Sequence, residues 1–192
     1  MTTRTIHSIH QIFNDVSIRD AFFKFRYGLV FCAFLFLVSQ VRSSWFLPGF
    51  LVAFCGELIQ IWCFAVLEKN TRLTTKGPYM FVRNPMYIGR FFLVLGCLLL
   101  TGHVRGVPIL IPLYYFYAVN RTKREETRLL ALHGETYLRY CRKVNRFLPG
   151  LKGFEKDSLF HFKWDLLMVN HGLHNLSAML TCFFVLYLAA QR

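Results

Sequence analysis

Two polar segments of the chain carry charged, aromatic and proline residues at spacings suited to binding a small charged ligand. In the first segment, Gly77-Pro78 predicts a turn, and Pro85 restricts Asn84 to an extended conformation at a helix start. In the second, Glu125 and Glu126 are adjacent and lie among arginines, which keep carboxylates ionised and able to bind a cation. From the residues alone, the first segment could also be a rigid connector at the membrane surface. The second could be a solvated helix face with salt bridges.

The elements that hold these segments are apolar. The chain is 55% hydrophobic and 17% aromatic, above the roughly 45–50% apolar content of an average soluble domain. We therefore predict one all-α, polytopic membrane domain, residues 1–192, with about five transmembrane helices. The predicted spans are residues 22–41, 46–67, 87–101, 107–119 and 173–190. The third and fourth form a short helical hairpin. The fifth is an extra C-terminal membrane helix, the alternative being a helix that lies at the interface.

Basic residues give the expected orientation. The formal net charge is +13, and if all five segments span, twenty of the 23 Lys and Arg residues lie on one side. Because such residues accumulate in cytoplasmic loops, we predict a cytoplasmic N-terminus and cytoplasmic segments at 68–90 and 120–165. Membrane topology therefore explains the high positive charge of the chain, and we predict no nucleic-acid partner.

The region before the first span, residues 1–21, is predicted to be an amphipathic helix in the interface plane, since Ile6, Ile9, Phe13 and Val16 recur at helical spacing. No cleavable signal peptide is evident, so we expect the first span to act as its own insertion signal.

An ordered set of short sequences resembles a known superfamily. The set comprises GPYMFVRNPMYIG at 77–89, REE at 124–126, GETY at 134–137 and RFLP at 146–149. It resembles the isoprenylcysteine carboxyl methyltransferase and phospholipid methyltransferase superfamily over residues 56–149. The resemblance implies a membrane-embedded methyltransferase whose cytoplasmic segments fold over S-adenosyl-L-methionine and whose lipid or lipidated acceptor arrives from the bilayer.

The resemblance also implies roles for individual residues. The expected cofactor-binding residues are Gly77, Tyr79, Arg83, Asn84, Pro85, Tyr87, Glu125 and Glu126, with Arg83 and Glu126 as catalytic residues. Many members of the superfamily have His where this chain has Asn84, and asparagine cannot act as a base near neutral pH. Methyl transfer to a carboxylate or thiolate needs no base, only alignment and desolvation of the nucleophile.

Polar residues outside the matching region give further candidates. Glu57 and Gln60 lie one turn apart within an apolar span, so we consider them substrate-binding candidates, the alternative being a polar contact between helices. His171 and His174 lack a third ligand in the sequence, and five of the six cysteines lie in apolar segments without CxxC spacing. We therefore predict no metal site.

Several functions remain open from the sequence. The favoured function is isoprenylcysteine-type carboxyl methylation, with phosphatidylethanolamine-type N-methylation as the alternative. More distant alternatives are an NADPH-dependent sterol-type reductase, which the paired carboxylates disfavour because they would repel a polyphosphate, and a non-enzymatic scaffold whose basic loops hold anionic lipid. The sequence does not predict an oligomeric state.

Overall fold

A computed structural model of the chain describes residues 11, 15–69 and 72–192. All regular structure in these residues is helical. The α-helices are α1 (Val16–Gln40), α2 (Ser43–Val66), α3 (Pro85–Leu100), α4 (Val107–Lys143), α5 (Lys156–Leu159), α6 (Trp164–Val169) and α7 (Gly172–Ala190), with 3₁₀ turns at Gly77–Met80 and Val104–Gly106.

Three of these helices, α1, α2 and α7, are long and apolar enough to cross a membrane, and α3 is a shorter apolar helix. The prediction of an all-α polytopic membrane protein is confirmed. The predicted hairpin corresponds to α3 and the start of α4, joined across residues 101–106. Most of the predicted interfacial helix at 1–21 lies outside the described residues, while Val16 begins α1, whose N-terminus is capped by the Asp15 side chain.

Close contact between α2 and α3 forms the centre of the fold. A Cβ atom added at Gly56 would lie 2.5 Å from the carbonyl oxygen of Gly89, and one added at Gly96 would lie equally close to that of Gly49. Small residues at these positions let the two backbones approach, as is common between membrane helices. A buried cluster of Ala53, Leu100, Met179, Phe183 and Leu186 then joins α7 to this pair.

The end of α2 is held by the segment that carries α6. The last carbonyl groups of a helix have no partner within the helix, and here the Asn170 side chain donates hydrogen bonds to those of Phe64 and Leu67, at 2.9 and 2.8 Å. Lys163 Nζ lies 2.8 Å from Glu68 Oε1, and this hydrogen bond holds the pKa of Glu68 below its usual value. These contacts position the start of the loop that leads to α3.

Helix α4 changes direction at Gly134, whose φ of 49° lies in the left-handed region. The part after the bend folds back onto the loop before α3, where Tyr140 Oη donates to the carbonyl oxygen of Tyr79 at 2.7 Å. The chain beyond α4 continues along the same loop, since Asn145 accepts from the Arg83 amide and Gly150 donates to the Phe81 carbonyl. The two polar segments identified in the sequence are thus assembled into one unit.

Candidate functional site

A cavity of about 430 Å³, here called the main cavity, lies where the two polar segments meet. Its walls come from the end of α2, the following loop, the first turns of α3 and one face of α4. Among the predicted site residues, those that line it are Tyr79, Arg83, Asn84, Pro85, Tyr87 and Glu125. Its volume falls within the roughly 300–1,000 Å³ of small-molecule sites.

Positive charge predominates in the described lining. Five side chains are basic and two are acidic; the basic ones are Lys69, Arg72, Arg83, Arg90 and Arg128, and the acidic ones are Glu68 and Glu125. Both carboxylates have a cationic partner, because Glu68 pairs with Lys163 and Glu125 pairs with Arg121 at 3.5 Å. The described lining of the cavity is therefore net positive and can accommodate an anion. The Glu125 carboxylate provides negative charge at one position in the same lining.

The face of α4 toward the cavity follows helical periodicity. Glu125 and four residues at intervals of three, four, seven and eight after it all line the cavity, namely Arg128, Leu129, Leu132 and His133. Glu126 lies about 100° further round the helix and is not among the lining residues. The two adjacent carboxylates therefore face different surroundings.

Glu126 instead occupies a charge cluster with Arg83 and Arg146. Arg83 Nη2 lies 3.2 Å from Glu126 Oε1, while Arg146 donates from Nε and Nη2 to the two carboxylate oxygens at 3.2 and 2.5 Å. The hydrogen bond to Glu126 raises the pKa of the Arg146 guanidinium. Arg83 also lines the main cavity, whereas Glu126 does not. The ion pair with Glu126 therefore orients the Arg83 side chain without Glu126 itself forming part of the cavity wall.

Tyr87 connects the start of α3 to α4. Its hydroxyl donates to Glu125 Oε1 at 2.8 Å, and its backbone carbonyl accepts from Tyr114 Oη at 2.7 Å. The Arg90 guanidinium lies over the Tyr87 ring, 5.3 Å from its centroid, a cation–π geometry. These contacts fix the aromatic wall of the cavity and the position of the Glu125 carboxylate.

Two buried donors of the cavity wall have no hydrogen-bond partner among the residues that the structure describes. They are Arg83 Nε and Asn84 Nδ2, and they come from consecutive residues that line the cavity. An unsatisfied buried donor costs roughly 1–3 kcal/mol, so such groups usually have a partner that a ligand or water provides. A ligand with acceptor oxygens, such as a carboxylate, suits this corner of the cavity.

Tyr79 contributes to the wall mainly as a buried ring. Burial raises the pKa of its phenol well above the usual value, so the hydroxyl stays neutral. Burial likewise raises the pKa of Tyr140, which contacts the Tyr79 backbone. Both rings can pack against a ligand without adding charge.

The other predicted site residues lie away from the main cavity. Gly77 begins the 3₁₀ turn and is buried against Trp62 and Val66 of α2. Glu57 and Gln60 are buried within α2, where Gln60 Nε2 donates to Glu57 Oε2 at 3.2 Å. Neither residue lines the cavity, and the Gln60 side chain packs close to Gly89 of α3. The predicted functional roles of all the site residues stay predictions, both for those that line the cavity and for Gly77, Glu126, Glu57 and Gln60.

Sequence reasoning missed several basic residues of the wall. Arg90 could have been found by helical spacing, because it lies three residues after Tyr87 in the same helix, and Arg128 by its spacing from Glu125. Lys69 and Arg72 lie in an irregular loop, where no periodicity predicts the direction of a side chain.

Comparison with known proteins gives a consistent set of relatives. The family model for phospholipid methyltransferase matches residues 28–136, more than half of the chain. Human protein-S-isoprenylcysteine O-methyltransferase is 35% identical over 86 residues, covering 44% of this chain. The same enzyme of Schizosaccharomyces pombe is 31% identical over 82 residues, covering 43% of this chain. The cobalt-zinc-cadmium resistance protein CzcN of Cupriavidus metallidurans is 26% identical over 136 residues, or 67% of this chain.

The matches cover only part of the relatives. The similar region spans 30% of the human protein, 35% of the Schizosaccharomyces pombe protein and 62% of CzcN. No solved structure matches this chain significantly.

Proposed function

This chain belongs to the phospholipid methyltransferase family, and on that basis we propose that it is an integral membrane methyltransferase. It uses S-adenosyl-L-methionine to methylate a lipid or lipidated acceptor. The observation that carries this proposal is the main cavity, in which the two matching loop segments meet at the ends of apolar helices. A lipid tail can stay among those helices while its polar end enters the cavity.

The described lining fits the proposed cofactor. S-adenosyl-L-methionine carries a sulfonium, an ammonium and a carboxylate, and when bound it supplies an electrophilic methyl group. Arg83 Nε and Asn84 Nδ2 are unpartnered donors suited to the carboxylate. Glu125 and the rings of Tyr79 and Tyr87 suit the cationic groups. We propose that these residues bind and orient the cofactor, with Pro85 shaping the turn and Glu126 holding Arg83.

The charge of the cavity favours an anionic acceptor. Basic side chains outnumber acidic ones in its described lining, so an acceptor carboxylate would be attracted. A carboxylate also needs no deprotonation, which suits a wall that has Asn84 and no base at that position. The similarity to protein-S-isoprenylcysteine O-methyltransferases agrees, and we propose carboxyl methylation of an isoprenylcysteine-type acceptor over phospholipid N-methylation.

We also propose that the cavity faces the cytoplasm, because most basic residues lie on its side of the predicted topology. Lys76→Cys, in the loop before α3, should then be protected from an impermeant maleimide added to intact cells. Arg105→Cys, in the turn between α3 and α4, should be labelled. The reverse pattern would refute the orientation.

The first test of the function is calorimetric titration of the detergent-purified chain with S-adenosyl-L-methionine. Saturable binding should be lost in Arg83→Ala and Glu126→Ala and kept in Arg142→Ala, whose side chain is 74% exposed. Methyl incorporation into a farnesylcysteine analogue should exceed that into phosphatidylethanolamine. The opposite preference would select N-methylation. Binding of NADPH instead of the methyl donor would indicate a reductase, and binding of neither would favour a scaffold.

A further inference from the structure

A second cavity of about 220 Å³, here called the basic cavity, lies beside the last turns of α4. Among the described lining residues, it shares only Tyr140 with the main cavity. Three separate segments form it: the loop before α3 contributes Thr75, α4 contributes Arg139 and Lys143, and the chain after α4 contributes Lys152, Phe154 and Glu155. The proposed methyl transfer uses none of these six residues.

The charge of the basic cavity suits an anion. Arg139, Lys143 and Lys152 form no ion pair with any residue in the described part of the chain. The described lining contains one carboxylate. It belongs to Glu155 and accepts a hydrogen bond from Ser158 Oγ at 3.3 Å. Three cations from two segments and a threonine hydroxyl line this cavity, and such donors match the acceptor oxygens of a phosphate group.

The position of the basic cavity indicates which phosphate it meets. It adjoins the 3₁₀ turn Gly77–Met80, whose first residue packs against Trp62 and Val66 at the end of membrane helix α2. Gly153 of its wall lies against the backbone carbonyl of Met80. The cavity therefore lies close to the level at which α2 leaves the bilayer, where lipid headgroups are found.

Exposed apolar side chains lie in or next to the chain segment that forms part of this charged surface. Leu148 and Leu151 are 75% and 74% exposed, and Phe154, which lines the cavity, is 44% exposed. Basic residues interleaved with exposed leucine and phenylalanine are typical of surfaces that lie in the membrane interface. A free phosphate ion would use the cations and leave these apolar groups in water.

We propose that the basic cavity binds the phosphate of an anionic membrane lipid, whose acyl chains cover Leu148, Leu151 and Phe154. This site is separate from the main cavity, so the inference does not depend on the proposed methyltransferase activity. Bound lipid would hold the chain after α4 against the loop that carries Arg83, through the contacts of Asn145 and Gly150 with that loop.

The test measures lipid binding without any methyl donor. The purified full chain in neutral detergent micelles is titrated with phosphatidylglycerol or phosphatidylcholine, and bound lipid is measured by native mass spectrometry. The triple variant Arg139→Gln, Lys143→Gln, Lys152→Gln should bind phosphatidylglycerol roughly 100-fold more weakly, because each basic group near an anionic surface contributes about a factor of five.

The matched control removes three other basic side chains that lie outside the cavity lining, in the variant Lys123→Gln, Arg142→Gln, Lys156→Gln. It should bind phosphatidylglycerol as the native chain does. Equal weakening of both variants would show a diffuse charge effect and overturn the site. Equal affinity of the native chain for phosphatidylcholine, or displacement of the lipid by equimolar inorganic phosphate, would overturn the assignment to an anionic lipid.

Discussion

Replacing Glu126 with glutamine separates two roles that this carboxylate could have in methyl-donor binding. The sequence resemblance predicts that Glu126 contacts the cofactor, whereas the structure shows it paired with Arg83 and Arg146 behind the cavity wall. Glutamine keeps the size of the side chain and removes its charge. Two guanidinium groups would then face each other without the carboxylate between them.

The magnitude follows from the burial of the cluster. Removing one partner of a fully buried ion pair costs roughly 3–5 kcal/mol, and a surface pair contributes about 0–1 kcal/mol. Glu126 and Arg83 are 13% and 14% exposed, but Arg146 is 34% exposed, so the cluster lies between these limits. We expect Glu126→Gln to reduce the free energy of unfolding by about 2 kcal/mol, or roughly 4–8 °C in midpoint for a chain of this size.

The assay combines thermal unfolding, followed by tryptophan fluorescence, with calorimetric titration of S-adenosyl-L-methionine. We expect Glu126→Gln to lower both the unfolding midpoint and the cofactor affinity, because Arg83 loses its orientation. Arg146→Gln leaves the contact between Arg83 and Glu126 and should have a smaller effect on both. Glu135→Gln is the matched control, since Glu135 is 60% exposed and its pairing with Arg142 is long, at 3.8 Å.

Two results would contradict an indirect role of Glu126 through Arg83. If Glu126→Gln abolishes cofactor binding while its unfolding midpoint equals that of Glu135→Gln, Glu126 contacts the cofactor directly and does not act through Arg83. If neither quantity changes, the cluster contributes nothing measurable and the orientation of Arg83 depends on other contacts.

Three further predictions concern the site and the helices that hold it. Tyr87→Phe removes the hydroxyl that donates to Glu125 at 2.8 Å and should weaken cofactor binding about tenfold; an unchanged calorimetric affinity would contradict the role of this bond. Gly56→Val places side-chain atoms against the backbone of α3 and should prevent recovery of monodisperse protein, whereas Gly28→Val, with nothing within 4 Å, should be recovered normally. The lowered pKa of Glu68 means that its ion pair stabilises the fold above the unfolded pKa and is lost as the pH falls through the folded pKa. Glu68→Gln should therefore lower the free energy of unfolding at neutral pH by less than about 1 kcal/mol, measured as a slightly lower unfolding midpoint. In acid the two midpoints should be equal.

The two adjacent carboxylates of α4 have different positions, one in the cavity wall and one in an ion-pair cluster outside the cavity. Glu125 lines the main cavity and Glu126 pairs with arginines on another side, because successive helical residues are about 100° apart. The sequence resemblance places both at the cofactor and gives only Glu126 a catalytic role. The geometry gives each a different set of contacts, and mutation of the two residues should therefore have separable effects.

The fold class and the two polar segments that form most of the cavity can be predicted from the amino-acid sequence alone. A hydrocarbon solvent requires every backbone polar group to be bonded within the chain, so long apolar segments predict membrane helices without further information. Helix α7 corresponds to the predicted segment 173–190 almost residue for residue. The face of α4 that meets the cavity is also implicit in the sequence, because Glu125, Arg128 and Leu132 recur with the period of a helix.

Which charged side chains pair with each other depends on how the helices and loops pack together. Arg146 reaches Glu126 from twenty residues along the chain, and that contact depends on the bend at Gly134 and on the path of the chain after α4. Both cavities combine side chains from segments far apart in sequence. Hydropathy and helical period describe neighbours within one helix, whereas a contact between segments depends on how close their backbones can pack, as at Gly56 and Gly89.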